Sequence, residues 1–281
     1  MKKKFFLFIT IYISIPCFAQ TWQDTSNNIE KIFSRYKLQN PGCQLSVSRN
    51  GSIIFSKAWG MSDLENNIPL SSNSIIEAGS VSKQFTAAAI LLLEQQRKLS
   101  LNDDVRKYIP ELPDYGTVIK LKHMMHHTSG IKDWGSIAQI TGWERGTKIY
   151  SNKDALEMIA QQKTLNNKPG DEFIYSNSNY NLFAIIVKRV SGISLAEFTQ
   201  KYIFIPAGMK HTQCRDNFRR IVKNGAIAYQ KTDTAYESDM PNEDAYGNGG
   251  LLTTTEDLLK WNTYYLSGKL GNDTLISAML K

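Results

Sequence analysis

The uncharged run Phe85-Thr86-Ala87-Ala88-Ala89-Ile90-Leu91-Leu92-Leu93 is apolar nearly all round a helix rather than along one stripe. A helix without a water-facing side must be enclosed by other elements, so this run predicts a helix buried in the interior, with the rest of the chain folded around it. The length supports that demand. Of the 281 residues, about 260 remain once an N-terminal leader is set aside, enough for one large domain or two small ones with a real core.

Directly before the run stands Ser80-Val81-Ser82-Lys83. Ser80 and Lys83 lie at i and i+3, so on a helix they share a face and come within contact. A serine hydroxyl is unreactive until a base stands beside it, and a serine-lysine pair is one recurring solution. Opening a central helix, Ser80 would also sit where first-turn N–H groups and the positive end of the macrodipole favour a developing negative charge. The same tetrapeptide pattern recurs at Ser34 to Lys37 and at Ser129 to Lys132. The first lies at the polar end of an N-terminal helix pattern and the second reads as a Ser-Gly turn, so only Ser80 opens a buried helix. Ser80 is read as the nucleophile, against the plainer alternative of a helix N-cap. Lys83 can act as base only when neutral, which requires burial or nearby positive charge to lower its pKa.

Met1-Lys2-Lys3-Lys4 followed by the apolar run Phe5 to Ala19 has the form of a secretory signal peptide, too short and wrongly flanked for a membrane span. Cleavage is expected after Ala19 or Gln20, leaving residues 21–281. A lipoprotein reading would acylate Cys17, but Pro16 does not fit the small residue expected before it. Losing the three lysines takes the formal charge from +7 to +4, with charges scattered rather than clustered, and nothing suggests nucleic acid. Cys43 and Cys214 remain. They could pair in an oxidising compartment, but Cys43 alternates with Leu45 and Val47 on one strand face, which favours a buried free thiol.

Trp22 to Leu38 reads as an amphipathic helix, and Cys43 to Ser48 with Ile53 to Trp59 as strands of a hairpin turning at Asn50-Gly51. Helical periodicity follows at Ser82–Gln96, 154–162, 181–190, 195–202 and 255–266. An early hairpin followed by many helices argues for a sheet domain with a helical insertion. A serine-lysine site needs a further polar group to relay protons. Tyr175-Ser176-Asn177 is the candidate, because it follows the turn Pro169-Gly170-Asp171 and leads into an apolar helix. Tyr150-Ser151-Asn152 and Tyr246-Gly247-Asn248 match the same pattern, but the first reads as a helix cap and the second as a glycine-rich turn.

These stretches together resemble the serine β-lactamase and penicillin-binding-protein family, in its class C β-lactamase-related branch. The resemblance spans nearly all of the mature chain. It is carried by Pro41-Gly42 with its hairpin, Gly79-Ser80-Val81-Ser82-Lys83-Gln84-Phe85-Thr86-Ala87, His127-Thr128-Ser129-Gly130, Pro169-Gly170-Asp171, Tyr175-Ser176-Asn177, Ile205-Pro206-Ala207-Gly208-Met209 and Gly249-Gly250-Leu251, in the family's order. It implies an α/β fold of α+β type, β-lactamase/transpeptidase-like, with an antiparallel sheet flanked by helices and a helical subdomain. It also implies that Ser80 forms an acyl-enzyme, Lys83 takes its proton, Tyr175 relays a proton to the leaving group, and Asn177 holds the substrate amide and Lys83. The implied substrate is a β-lactam, a D-amino-acid peptide or an ester, with no cofactor.

One family element has no counterpart. Lysine or histidine, a hydroxyl residue and glycine should follow Gly249-Gly250 on a strand, whereas Lys223-Asn224-Gly225 precedes it. The expectation is therefore a chain lacking its C-terminal strands, either an acylating serine hydrolase of periplasmic or secreted location or a truncated, non-catalytic module binding a ligand or partner. His123, His126 and His127 lack the glutamate and downstream ligands of a metalloprotease, so no metal is expected, and His127 is read as holding its loop. Trp134, Trp143 and Tyr150 are candidates for a cleft, though aromatics in helical regions are more often core. Asp103, Asp104 and Glu111 read as a solvated loop without a carboxylate dyad.

Overall fold

The computed structural model describes residues 21–143, 148–240 and 242–279, and the predicted signal peptide, residues 1–20, lies outside them. The chain divides into two compact units, residues 1–35 and 36–281. In the first, α1 (Trp22–Phe33) opens on a reciprocal capping box. Asp24 N–H donates to Thr21 Oγ1 at 3.1 Å and Thr21 N–H to Asp24 Oδ2 at 3.0 Å, satisfying two end-of-helix donors. The helix stops at Phe33, short of Leu38. There the Ser34 hydroxyl donates to the Lys31 carbonyl at 2.8 Å, competing with the helical ladder.

The second unit begins with the antiparallel hairpin β1 (Cys43–Arg49) and β2 (Ser52–Trp59). Its turn places Asn50 at φ 51° and Gly51 at φ 78°, the left-handed pair that an Asn-Gly dipeptide supplies at little cost. β3 (Met61–Asp63) pairs with β4 (Ile68–Pro69), and β5 (Ile76–Glu77) leads through a tight 3-10 turn, Gly79–Ser82, into α2 (Lys83–Gln95). The helical region follows as α3 (Leu121–Met125), α4 (Trp134–Ile140), the short strand β6 (Tyr150–Ser151), α5 (Asn152–Ala160), α6 (Asn177–Ser191) and α7 (Leu195–Thr199). The remainder comprises β7 (Gln213–Cys214), β8 (Tyr229–Lys231), β9 (Tyr236–Ser238), β10 (Glu243–Asp244), β11 (Leu251–Thr253), α8 (Thr255–Leu266) and α9 (Asp273–Met279). β11 runs between β5 and β7, antiparallel to both. The ladders are antiparallel as expected, except that β6 and β10 pair in parallel.

α2 is enclosed as its composition demands. Ala87, Ile90 and Leu93 face one apolar cluster, shared with Leu182, Phe183, Ile186 and Val187 of α6. Phe85, Ala88 and Leu91 face another, containing Phe204, Leu251 and Trp261. The helix thus joins the helical region to the sheet-bearing part, and both clusters depend on it.

Several expectations need correction. The α-helix begins at Lys83, so Ser80 belongs to the 3-10 turn before it and not to a first helical turn. α6 starts at Asn177 rather than 181, because its polar first turn is buried against a loop described below. The helix over 195–202 splits, with α7 passing into a wider π turn, Gln200–Phe204. Cys43 is half-buried rather than buried, although, as expected, neither Cys43 nor Cys214 is half of a disulfide. Burial pushes the Cys214 thiol up to about 11.

Replacing Ile90, fully buried in α2, with alanine is expected to lower unfolding free energy by about 2–5 kcal/mol in a urea titration, from lost transfer energy and a residual cavity. A loss below about 1 kcal/mol would contradict the enclosing role of this helix.

Candidate active site

The turn that carries Ser80 is stitched to the central strand. Ser82 Oγ donates to the Gly79 carbonyl at 2.6 Å and accepts the Leu251 N–H at 2.9 Å, while Ala78 N–H donates to the Leu251 carbonyl at 2.9 Å. Gly79 sits at φ 49° to enter the turn. Ser80 is thereby left exposed while Lys83, one turn on, is only 8% exposed. Ser80 caps nothing, since the residue flanking the turn is Ala78 and no side-chain cap bond forms there.

The lysine amine meets three acceptors. Lys83 Nζ donates to Ser80 Oγ at 3.1 Å, to Asn177 Oδ1 at 2.9 Å and to the Asn248 carbonyl at 2.6 Å. On the other side of the serine, Tyr175 OH lies 2.9 Å from Ser80 Oγ. The Nζ also stands 4.8 Å from the Tyr175 ring centre and 5.6 Å from that of Tyr180. The four residues expected from sequence, Ser80, Lys83, Tyr175 and Asn177, therefore come together, with hydroxyl, amine and phenol joined by hydrogen bonds along which a proton can pass.

The other matches to the same patterns are engaged elsewhere. Ser129 Oγ donates to Asn179 Oδ1 at 2.7 Å and Lys132 Nζ to Thr164 Oγ1 at 3.0 Å, so that pair is not a reactive one. Ser34 is bonded within α1. Ser151 caps α5 through a capping box with Asp154, as expected. Tyr150 is buried against Trp134, and its hydroxyl bonds the Trp143 carbonyl. Trp134 and Tyr150 are thus core residues, while Trp143 is exposed. Lys223-Asn224-Gly225 runs beside Ile75, whose N–H donates to the Asn224 carbonyl at 2.8 Å.

Tyr175 is held from behind by His127. The two rings stack with centres 4.4 Å apart, and His127 Nδ1 accepts the Ser176 N–H at 3.1 Å. Burial, then the charge of Lys83, pushes the His127 imidazole down to about 4, so near neutral pH the ring is uncharged and Nδ1 is free to accept. The loop closes around it through Ile174 N–H to the His127 carbonyl at 2.9 Å and Gly170 N–H to the Thr128 carbonyl at 2.8 Å. Gly130 at φ 74° is required there, because a Cβ would lie 2.2 Å from the Asn167 carbonyl oxygen. His123, by contrast, accepts the Lys120 N–H, and His126 is exposed.

The buried polar face of α6 is tied to the same loop. Asn177 N–H donates to Asp133 Oδ2 at 2.5 Å, Ser178 Oγ donates to the Lys132 carbonyl at 2.6 Å, and Trp134 N–H donates to Ser178 Oγ at 2.9 Å. Asp133 also places a carboxylate at the positive end of the helix. Sequence reading missed this function of Asp133. It also missed Asn248, whose stretch was set aside as a turn although its carbonyl receives the lysine. The available signal was Gly247 and Gly249-Gly250 around it, since glycines at φ 100° and 79° let the chain turn that carbonyl inward.

The model of the family described as Beta-lactamase matches residues 22–280. A penicillin-binding protein of Bacillus subtilis (strain 168) is 34% identical over 168 residues, 59% of this chain and 36% of that protein. Protein flp of Staphylococcus aureus (strain N315) is 28% identical over 253 residues, 87% of this chain and 49% of that protein. The crystal structure of FmtA from Staphylococcus aureus superposes with a TM-score of 0.77 at 26% identity, covering 92% of this chain and 70% of that one. The chain thus spans half or less of the length of these two curated relatives.

The depressed His127 carries a pH signature. Its unfolded form binds a proton that the native form refuses between about pH 6.5 and about pH 4, so native stability should fall as pH drops through that window. His127→Gln, which keeps an acceptor, should flatten this part of the stability profile. An unchanged slope would contradict the neutral ring.

Proposed function

The chain belongs to the Beta-lactamase family, and from that premise we propose that it acts as a serine hydrolase through an acyl-enzyme on Ser80. Its fold is the β-lactamase/transpeptidase-like one. The observation that carries the proposal is the convergence of Lys83 Nζ and Tyr175 OH on the exposed Ser80 Oγ. With Lys83 in its neutral form and its lone pair turned to the serine, Ser80 Oγ attacks the substrate carbonyl carbon as its proton passes to Lys83. Tyr175 passes a proton to the leaving group and regains one from Lys83, and Asn177 holds Lys83 with its oxygen and is left with an amide N–H to offer the substrate. Water or another acceptor then releases the acyl group by the reverse path.

The substrate is a β-lactam, a D-amino-acid peptide or an ester, each of which presents a carbonyl to the same serine. The basic and apolar leader, residues 1–20, supports a periplasmic or secreted location. Among the described residues no helix is long and apolar enough to cross a membrane.

Intact-mass spectrometry after exposure to a penicillin, and separately to an activated ester, tests this reading. One adduct per chain is expected, absent in Ser80→Ala and formed about 10²-fold more slowly in Tyr175→Phe. A folded chain that forms no adduct with either reagent would overturn the hydrolase and leave a binding module.

A further inference from the structure

We propose that the side chains of Asn152, Asn181 and Asn248 form a relay that fixes the Asn248 carbonyl on Lys83, which makes them positioning residues for the serine site. The inference rests on the hydrolase reading for its consequence in catalysis, but its effect on Lys83 can be read without turnover.

The need for such a relay lies in the backbone. The carbonyl that takes Lys83 belongs to a residue flanked by Gly247, at φ 100°, and by Gly249-Gly250, the latter at φ 79°. Glycines on both sides place no Cβ barrier on rotation of that peptide. Side chains from three helices hold the turn: Thr86 Oγ1 of α2 donates to the Gly247 carbonyl at 2.8 Å, and asparagines of α6 and α5 fix the segment around Asn248. Asn181 Nδ2 donates to Asn248 Oδ1 at 3.0 Å and to Asn152 Oδ1 at 2.8 Å, with the Tyr246 carbonyl at 3.3 Å. Asn152 Oδ1 in turn accepts the Tyr246 N–H at 3.1 Å, so it grips the same turn from its other end.

The direction of the Asn181 amide is set by chemistry. The Trp134 indole can only donate, and its Nε1 lies 2.8 Å from Asn181 Oδ1, so the oxygen faces Trp134 and the NH2 group faces the relay. Asn181 and Asn248 are 0% and 3% exposed, so each bond replaces one that water cannot supply. Asn181 lies one helical turn beyond Asn177 on α6, on the same face. The helix therefore grips the lysine twice, directly through Asn177 and through Asn181 by way of the Asn248 carbonyl.

A carbonyl oxygen favours the ammonium over the amine, so loosening this one lowers the lysine titration midpoint while also freeing the amine to wander from Ser80. The amine also faces the Ser80 hydroxyl, Asn177 Oδ1, the Tyr175 and Tyr180 rings and His127, with Asp133 behind the Asn177 N–H. None of them touches Asn152 or the Asn248 side chain in the bonds described, so the relay can be changed alone.

The test is an NMR titration of Lys83 in lysine-labelled full chain, assigned with Lys83→Met and run beside the rate of Ser80 labelling by a penicillin. Asn248→Ala should move the Lys83 midpoint to lower pH and slow labelling about tenfold, as displacement of a reacting group does. Asn152→Ala, at the far end, should move the midpoint in the same direction, and the double variant should add little to either. A merely structural role would lower thermal stability and leave the midpoint in place, so an unmoved midpoint in a folded variant overturns the relay. Variants at opposite ends keep the test available where one fails to fold. A wild type that labels no serine, with midpoints shifted as stated, would overturn the hydrolase reading and leave the relay standing.

Discussion

A buried amine with three acceptors is the interaction on which the rest of the structure depends. Lys83 is taken out of water, and an amine so placed is tolerable only where its donors are met. Ser80, Asn177 and the Asn248 carbonyl meet them, and each comes from a different part of the chain. The 3-10 turn, the start of α6 and the glycine turn before β11 must therefore all converge on a single nitrogen. Their convergence explains why so much of the polar bonding in this molecule lies around α6, whose first turns bury Ser178, Asn179 and Asn181.

Two kinds of order serve that point. α2 is held by apolar contact on all sides and forms the rigid axis between the two clusters. The turn before it is held by hydrogen bonds, with Ser82 and Ala78 both joined to Leu251, so that the serine projects from a turn fixed to the sheet. Behind Tyr175, a neutral histidine supplies a flat packing surface and accepts a backbone N–H without adding a charge beside the lysine. The exposed serine and phenol thus rest on a buried, hydrogen-bonded support, the arrangement that keeps groups within a narrow range of geometry.

Much of this was legible in the chain. The all-round apolar composition of Phe85 to Leu93 foretold the enclosed helix, Asn50-Gly51 foretold the hairpin, and the serine, lysine, tyrosine and asparagine of the site could be placed by the elements that flank them. What was not legible depends on contacts distant in sequence. Asp133 and Asn181 carry no local mark of function, because their roles come from Asn177 and Trp134, which reach them only on folding. Asn248 was hidden for another reason, since it acts through its backbone carbonyl, which every residue has. The early start of α6 has the same origin. Asparagines and serines are poor helix formers in isolation, and here tertiary partners for their side chains override that preference.

The claim that Lys83 confers reactivity on Ser80 is tested most directly by the pH dependence of the Ser80 labelling rate in the wild-type chain and in Lys83→Met, which keeps the packing volume and removes the amine. A wild-type rate that climbs with pH beside a variant that is slower by about 10² or more and flat in the same range is the predicted result. Equal rates with the same pH profile would show that the serine owes nothing to the lysine and would contradict the account.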